Sequence, residues 1–142
     1  MTDDDGPSGP LDSATLEVLA RRARTHPLVL GWGFRPDGLS PRVLELQLDE
    51  TQYPARVRGA RLDVRWFDGG DYTVHYLERH EDGTWECRWD RHPKPNAPRE
   101  HFHPPPCAAS NAEPSPFETN HHLDVLFAAL DSIEERIGDL YG

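Results

Sequence analysis

The stretch that decides the fold runs from residue 60 to residue 90 and reads ARLDVRWFDGGDYTVHYLERHEDGTWECRWD. Apolar and polar side chains alternate in three runs, which cover residues 60–67, 72–78 and 84–90. A period of two is typical of strands with one buried face. Turn sequences rich in Asp and Gly separate the runs, at 68–71 and 81–83. The stretch therefore predicts an antiparallel meander with one face in the core.

The first turn of the meander can be assigned a length. A three-residue loop at 68–70 sets Val64 opposite Val74, so that apolar side chains meet on one face. A two-residue loop would mix apolar and polar faces, because a slip of one residue turns a whole strand over. The three-residue loop also places Asp63 beside His75 on the polar face.

The second turn sets the position of the third strand. A two-residue turn at Asp82-Gly83 places Glu81 opposite Thr84. The same register sets His75 opposite Asp90. We therefore expect His75 and Asp90 to be lateral neighbours on one face of the sheet.

Helices are predicted at both ends of the chain. The first begins at a cap on Asp12 or Ser13 and runs to about Thr25, with apolar residues on one stripe. The second begins at a cap on Thr119 or Asn120, runs to about residue 141 and has a longer apolar stripe. The second helix should lie across the core face of the sheet.

Together these segments predict an α+β fold. The antiparallel sheet has four or five strands, since 43–48 alternates clearly and 28–34 is compatible with a further strand. An N-terminal helix and a C-terminal amphipathic helix pack on one face of it. Residues 1–10 contain too little apolar surface to order themselves and are predicted to be a flexible acidic tail. Residues 11–142 are predicted to form one domain.

The composition is acidic and almost free of lysine. The 142 residues include 25 acidic and 15 basic side chains, a net charge of −10, and Lys94 is the single lysine. Dense surface carboxylate is what a high-salt cytoplasm favours, which suggests a halophile, although an arginine-biased genome gives the same bias. The negative charge argues against a general nucleic-acid binder, because contacts to phosphate supply most non-specific affinity. A small enzyme with one local basic pocket is still allowed.

The chain has the features of a cytoplasmic protein. Cys87 and Cys107 form no Cys-x-x-Cys motif, so a disulfide framework is not expected. The first ten residues have no apolar centre and do not resemble a secretory signal. No apolar run approaches the roughly 18 residues that a membrane span needs.

Groups able to carry chemistry concentrate in residues 86–107, ECRWDRHPKPNAPREHFHPPPC. Arg88 and Asp90 share the polar face of their strand. The following segment, 91–116, holds eight of the 14 prolines, so it forms a long irregular loop with at most a short strand at His101–His103. Within such a strand His101 and His103 point to the same side.

Two histidines, an arginine and a carboxylate are the groups that cleavage of an RNA phosphodiester needs. One imidazole removes the 2′-hydroxyl proton, another protonates the leaving oxygen, and an arginine stabilises the charged intermediate. The candidate catalytic residues are Arg88, Asp90, His101, His103 and His75. The candidate substrate-binding residues are Lys94, Arg99 and Arg91. A simpler interpretation is that Asp90 and His75 only satisfy each other across strands.

A zinc-binding variant of the loop is a further interpretation. Its ligands would be His92, His101, His103 and Cys107, with Cys87 near them. No standard finger or zincin spacing is present, so we expect neither a metal nor another cofactor.

The order of motifs in the second half of the chain resembles the TumE family, small toxins of bacterial and archaeal toxin–antitoxin pairs. The matching features are Arg-Trp-Asp at 88–90, a proline-rich segment, His-Phe-His at 101–103, Glu-Pro-Ser at 113–115 and a terminal amphipathic helix. The resemblance covers about residues 60–141. Members typically carry further histidines where this chain has Pro93-Lys94-Pro95 and Arg99-Glu100.

The resemblance implies a toxin whose partner is an antitoxin protein. Arg88, Asp90, His101 and His103 correspond to family motif positions. Combined with the residue types, this predicts a toxin that is a metal-independent ribonuclease acting on RNA. The alternative is a non-catalytic protein-interaction module that uses the proline-rich loop.

Overall fold

The computed structural model describes residues 9–39, 41–93 and 98–142. Most of the predicted tail, residues 1–8, lies outside the described residues, and so does Lys94. In chain order the elements are α1 (Ser13–Ala23), β1 (Val29–Arg35), β2 (Val43–Leu48), a 3-10 turn (Glu50–Gln52), β3 (Val57–Trp66), β4 (Tyr72–His80), β5 (Gly83–Arg91), β6 (Glu100–His103), β7 (Glu113–Pro114) and α2 (His122–Tyr141).

The strands form one antiparallel sheet in sequence order, from β1 to β7. The predicted α+β fold with helices at both ends is confirmed. The predicted number of strands is wrong, because the described residues contain seven. The two strands at the far edge, β6 and β7, are only four and two residues long and come from the proline-rich segment. β6 pairs with the edge of β5, whose free backbone groups would otherwise lack partners, and β7 pairs with β6.

The core lies between one face of the sheet and the two helices. The predicted inward-facing residues of β2, β3 and β4 are buried, among them Leu46, Val64 and Val74. The apolar stripes of α1 and α2 join the same cluster. The opposite side of the sheet, which we call the outer face, carries the polar members of the alternating strands. None of the helices within the described ranges has the length and apolarity to cross a membrane.

Side chains define the start of each helix. Asp12 caps α1, as predicted, and its carboxylate accepts from the Thr15 backbone N–H at 3.0 Å. For α2 the predicted caps at Thr119 or Asn120 are wrong. His121 caps it instead, because its imidazole Nδ1 accepts from the Leu123 N–H at 3.3 Å.

The register between β3 and β4 is the predicted one. Val64 pairs with Val74 and Asp63 pairs with His75. The apolar side chains therefore meet on the core face, and matching the faces was sufficient to choose the length of the turn.

The predicted register between β4 and β5 is wrong by two residues. The chain reverses at residues 81–82, and β5 begins at Gly83, which pairs with His80 and has a φ of +147°. A shift of two residues keeps each side chain on its predicted face but changes its neighbour. His75 therefore lies opposite Arg88, whereas the expected neighbour was Asp90.

A contact from α2 gives a physical reason for this register. It sets Glu78 opposite Trp85 on the core face. The Arg136 guanidinium lies 3.7 Å above the Trp85 ring and donates two hydrogen bonds to Glu78. One arginine can contact both Glu78 and Trp85 only when the two side chains are neighbours.

Candidate functional site

Three side chains of β4 and β5 form an accessible group on the outer face, namely His75, Glu86 and Arg88. His75 Nε2 lies 2.6 Å from Glu86 Oε1, and His75 is the cross-strand partner of Arg88. The side chains are 28%, 25% and 37% exposed, respectively. A histidine oriented by a carboxylate beside an arginine is thus open to solvent.

Asp90 links this accessible group to the interior. Arg88 Nε donates to Asp90 Oδ2 at 2.8 Å. Burial by itself would raise the pKa of Asp90, but His92 and Arg88 together stabilise the charged form. The pKa of Asp90 is therefore lower than its usual 3.8. Asp90 is a charged group that is only 1% exposed.

Three histidines surround the same carboxylate. Their Nε2 atoms lie 3.1 Å (His103), 3.5 Å (His92) and 3.7 Å (His101) from Asp90 Oδ2. All three are buried. They are buried because β6 pairs with β5 and lays His101 and His103 beside Asp90. We call Asp90, His92, His101 and His103 the buried cluster.

The second nitrogen of each histidine in the buried cluster faces a backbone carbonyl. His103 Nδ1 lies 2.7 Å from Ala109 O, and His92 Nδ1 lies 3.0 Å from Pro93 O. His101 Nδ1 lies 3.3 Å from Pro98 O and 3.2 Å from Arg99 O. A carbonyl oxygen only accepts, so each Nδ1 carries the proton and donates it. The imidazoles are thereby held with Nε2 directed at Asp90.

The surroundings shift the pKa values of two of these imidazoles in opposite directions. The hydrogen bond with Asp90 raises the pKa of His92, and this outweighs its burial. Burial, followed by the neighbouring His92, lowers the pKa of His101. The neutral form of His101 is therefore favoured.

The predicted substrate-binding arginines have other partners. Arg99 donates to Asp71 at 3.1 and 2.8 Å, and Arg91 donates to Asp71 at 3.1 Å and to Glu100 at 3.0 Å. Both arginines therefore tie the loop to the sheet around Asp71, which is itself buried. The third predicted residue, Lys94, lies outside the described residues.

Neither cysteine belongs to the buried cluster. Cys87 lies on the core face, where burial raises the pKa of its thiol to about 12. Cys107 is exposed. The ligand set with Cys107, and Cys87 near it, is therefore wrong, although His92, His101 and His103 do come together.

One member of these groups, Glu86, had no assigned role in the sequence. Glu86 shares its face with Arg88 and Asp90 by simple alternation, so the strand pattern could have identified it. Asp90 was a candidate catalytic residue, but nothing in the spacing showed that three imidazoles converge on it. That convergence depends on how the proline-rich segment returns to the edge of β5.

Comparison with known proteins agrees with the order of motifs. The family model Toxin TumE matches residues 17–137. The match begins well before residue 60, so the resemblance extends over most of the N-terminal third as well. No curated protein and no solved structure matches the chain. A family match over this share of the chain identifies it: the protein belongs to the TumE toxin family.

Proposed function

We propose that this protein is a toxin that cleaves RNA and that the accessible group on the outer face meets the phosphodiester. Family membership makes it the toxin of a toxin–antitoxin pair, with an antitoxin as its partner. The observation that carries the chemistry is the arrangement of His75, Glu86 and Arg88. They combine a possible base, a carboxylate that orients it and a fixed positive charge, all open to solvent.

His75 is suited to remove the proton of an attacking 2′-hydroxyl. Glu86 holds its Nε2 at 2.6 Å, and no hydrogen bond from the described residues occupies its Nδ1. A carboxylate that orients an imidazole and stabilises its cationic form makes the imidazole a better base. The proton would pass from the hydroxyl to Nδ1, and solvent would return a proton to the leaving oxygen.

Arg88 is suited to stabilise the charge that develops on the phosphate. Asp90 holds its Nε at 2.8 Å, and no other hydrogen bond of Arg88 is formed with the described residues. Its terminal N–H groups can then face a bound phosphate. Asp90 acts here as a positioning residue.

The proposal gives His101 and His103 a different role from the one expected from residue types. Direct proton exchange with RNA requires contact, and the two residues are 0% and 3% exposed. They surround Asp90 and so support Arg88 indirectly. Direct proton exchange between these two histidines and RNA is the alternative that the test can support.

The net charge of −10 limits the affinity for RNA but does not exclude the proposal. Arg61 on the outer face is already engaged by Glu45 and Asp63, at 3.5 and 3.1 Å. The proposed contact uses Arg88 alone, so we expect a shallow dependence of binding on salt, with a logarithmic slope that corresponds to about one or two neutralised phosphates. Recognition should rest on one local contact with the phosphate.

The test is expression without the antitoxin in a salt-tolerant host, scored for growth arrest and RNA breakdown. His75→Ala should lower cleavage by about 10²–10⁴-fold, the usual worth of one positioned base. Arg88→Ala should lower it by about 10²–10³-fold, with only partial rescue by Lys. Arg65→Ala, an exposed arginine on the same face, is the matched control and should change cleavage by less than about 10-fold.

Two outcomes would overturn parts of this proposal. If RNA stays intact while the wild type is expressed, the protein is not a ribonuclease. If His75→Ala cleaves RNA as the wild type does and a correctly folded His101→Ala variant does not, the proton transfer belongs to the loop histidines.

A further inference from the structure

The buried cluster has a hydrogen-bonding problem that protein atoms alone do not solve. His101 and His103 each donate from Nδ1 to a carbonyl, so each neutral imidazole presents a bare lone pair at Nε2. These two lone pairs converge on the Asp90 carboxylate, which also accepts only. Asp90 Oδ1, His101 Nε2 and His103 Nε2 are buried without a hydrogen-bond partner among the described residues. Such groups are costly to bury.

Extra protons are a poor solution. For the Nε2 atoms of His101 and His103 to donate to Asp90, both imidazoles would have to be cationic at once. Together with Arg88 this would place three positive charges around one carboxylate, in a site that is almost closed to solvent. The desolvation and mutual repulsion of buried like charges oppose that state. A single metal cation that accepts these lone pairs satisfies them without that accumulation of buried charge.

The distances suit a metal ion. The Nε2 atoms of His103 and His101 lie 3.1 and 3.7 Å from Asp90 Oδ2. Donors on a tetrahedral zinc ion with bonds of 2.0–2.1 Å are about 3.3 Å apart. The donor atoms of Asp90, His101 and His103 also all lie within 4.8 Å of one another. Only small movements of these side chains would bring them onto one ion.

We propose that Asp90, His101 and His103 bind one divalent transition-metal ion of the zinc class. Imidazole nitrogens with one carboxylate oxygen form a donor set that zinc accepts well. The three carbonyls that hold Nδ1 supply the outer support that metal-binding histidines usually have. The inference does not rest on RNA cleavage.

The arrangement indicates a structural role for the ion. All three donor residues are buried, so the position left for a further ligand does not face a substrate at the surface. The ion would join β5 to β6 and would fix Asp90 behind Arg88. The accessible group, with His75 and Glu86, would remain outside the shell.

Zinc binding can be measured on the full chain, purified without a polyhistidine tag and treated with a chelator. Titration with zinc chloride should show one ion per chain with submicromolar affinity. Asp90→Asn keeps the shape of the side chain and should weaken binding by about 100-fold or more, as should His103→Ala. His121→Ala and Cys107→Ser are matched controls outside the cluster and should bind as the wild type does.

A cobalt-loaded sample tests the donor set without any substitution. Co²⁺ in a site of nitrogen and oxygen donors should give the visible bands of a tetrahedral ion and no thiolate-to-cobalt charge transfer. Failure of the wild type to bind zinc, unchanged affinity in Asp90→Asn, or a thiolate band would each overturn the proposal. If His103→Ala does not fold, the Asp90→Asn titration and the cobalt spectrum decide.

Discussion

Glu78 and Asp90 are both buried carboxylates of the same sheet, and their surroundings differ in kind. Glu78, on the core face, is surrounded by donors: Arg136 at 3.0 and 2.9 Å, Tyr76 at 2.6 Å and His80 at 2.8 Å. Asp90, on the outer face, accepts from Arg88 and also faces the Nε2 atoms of His101 and His103, which have no hydrogen-bond partner among the described residues.

The difference separates a carboxylate that stabilises the fold from one that is prepared for a ligand. Every strong acceptor position of Glu78 is used by a protein donor, so its burial is compensated within the chain. Asp90 keeps Oδ1 without a hydrogen bond among the described residues, beside two unpaired nitrogens. An incompletely satisfied polar cluster calls for an explanation, and a bound cation supplies one.

Arg136→Ala should have the largest effect on stability. It removes both hydrogen bonds from the guanidinium to Glu78 and the contact with Trp85, leaving a buried charge poorly compensated. Breaking a buried ion pair from one side typically costs about 3–5 kcal/mol. Urea denaturation should show this loss of unfolding free energy, whether or not zinc is present. The control is Arg21→Ala, at an exposed position of α1, which should change the unfolding free energy by less than about 0.5 kcal/mol. A change as small as that in Arg136→Ala would contradict the account.

The pH dependence of stability should single out Glu78. Burial raises its pKa, but the hydrogen bonds from Arg136, Tyr76 and His80 outweigh burial and hold the pKa of Glu78 below 4.5. Its stabilising contribution is therefore complete above about pH 4.5 and is lost as the pH falls towards the lower folded value. Denaturation curves between pH 7 and pH 3 should show a steeper loss in wild type than in Glu78→Gln. Parallel curves would mean that Glu78 is not the carboxylate concerned, since Asp90 titrates in both proteins.

Tyr72→Phe should have the smallest effect. The Tyr72 hydroxyl is buried and makes no hydrogen bond with the described residues, so its removal costs no interaction. We expect the unfolding free energy to change by less than about 1 kcal/mol, or to rise. The matched change, Tyr76→Phe, removes a hydrogen bond to the charged Glu78 and should cost about 1.5–3 kcal/mol. Equal losses in the two variants would mean that the Tyr72 hydroxyl is not the unsatisfied group that it is taken to be.

Local pattern was sufficient for the two helices, for the strands β2 to β5 and for part of the register. Alternation gave the faces of β3 and β4, and the pair Val64–Val74 fixed how they meet. It failed at the next turn, because a glycine after Asp82 suggests a turn on those two residues, whereas Gly83 is the first residue of β5. The choice depends on Arg136, which is 58 residues from Glu78 and could not be matched to it from the sequence.

The site was predicted as a set of residues but not as an environment. Arg88, Asp90, His101 and His103 were selected, and they do lie together. The burial of Asp90, His101 and His103 could not be foreseen, because it depends on the pairing of β6 with β5 and on the carbonyls of residues 98, 99 and 109 that hold the imidazoles. The accessible partner of His75 was also missed, since the shifted register gives it Glu86 in place of Asp90.

The difference between the two carboxylates can be measured directly as the stability gained from zinc. With free zinc at about 100 times its Kd, the unfolding free energy of the wild type should rise by about 2.7 kcal/mol. Glu78→Gln, although less stable throughout, should gain the same increment, and Asp90→Asn should gain almost none. A wild type that zinc does not stabilise, or an Asp90→Asn variant stabilised as much as the wild type, would contradict the assignment of Asp90 to a metal site.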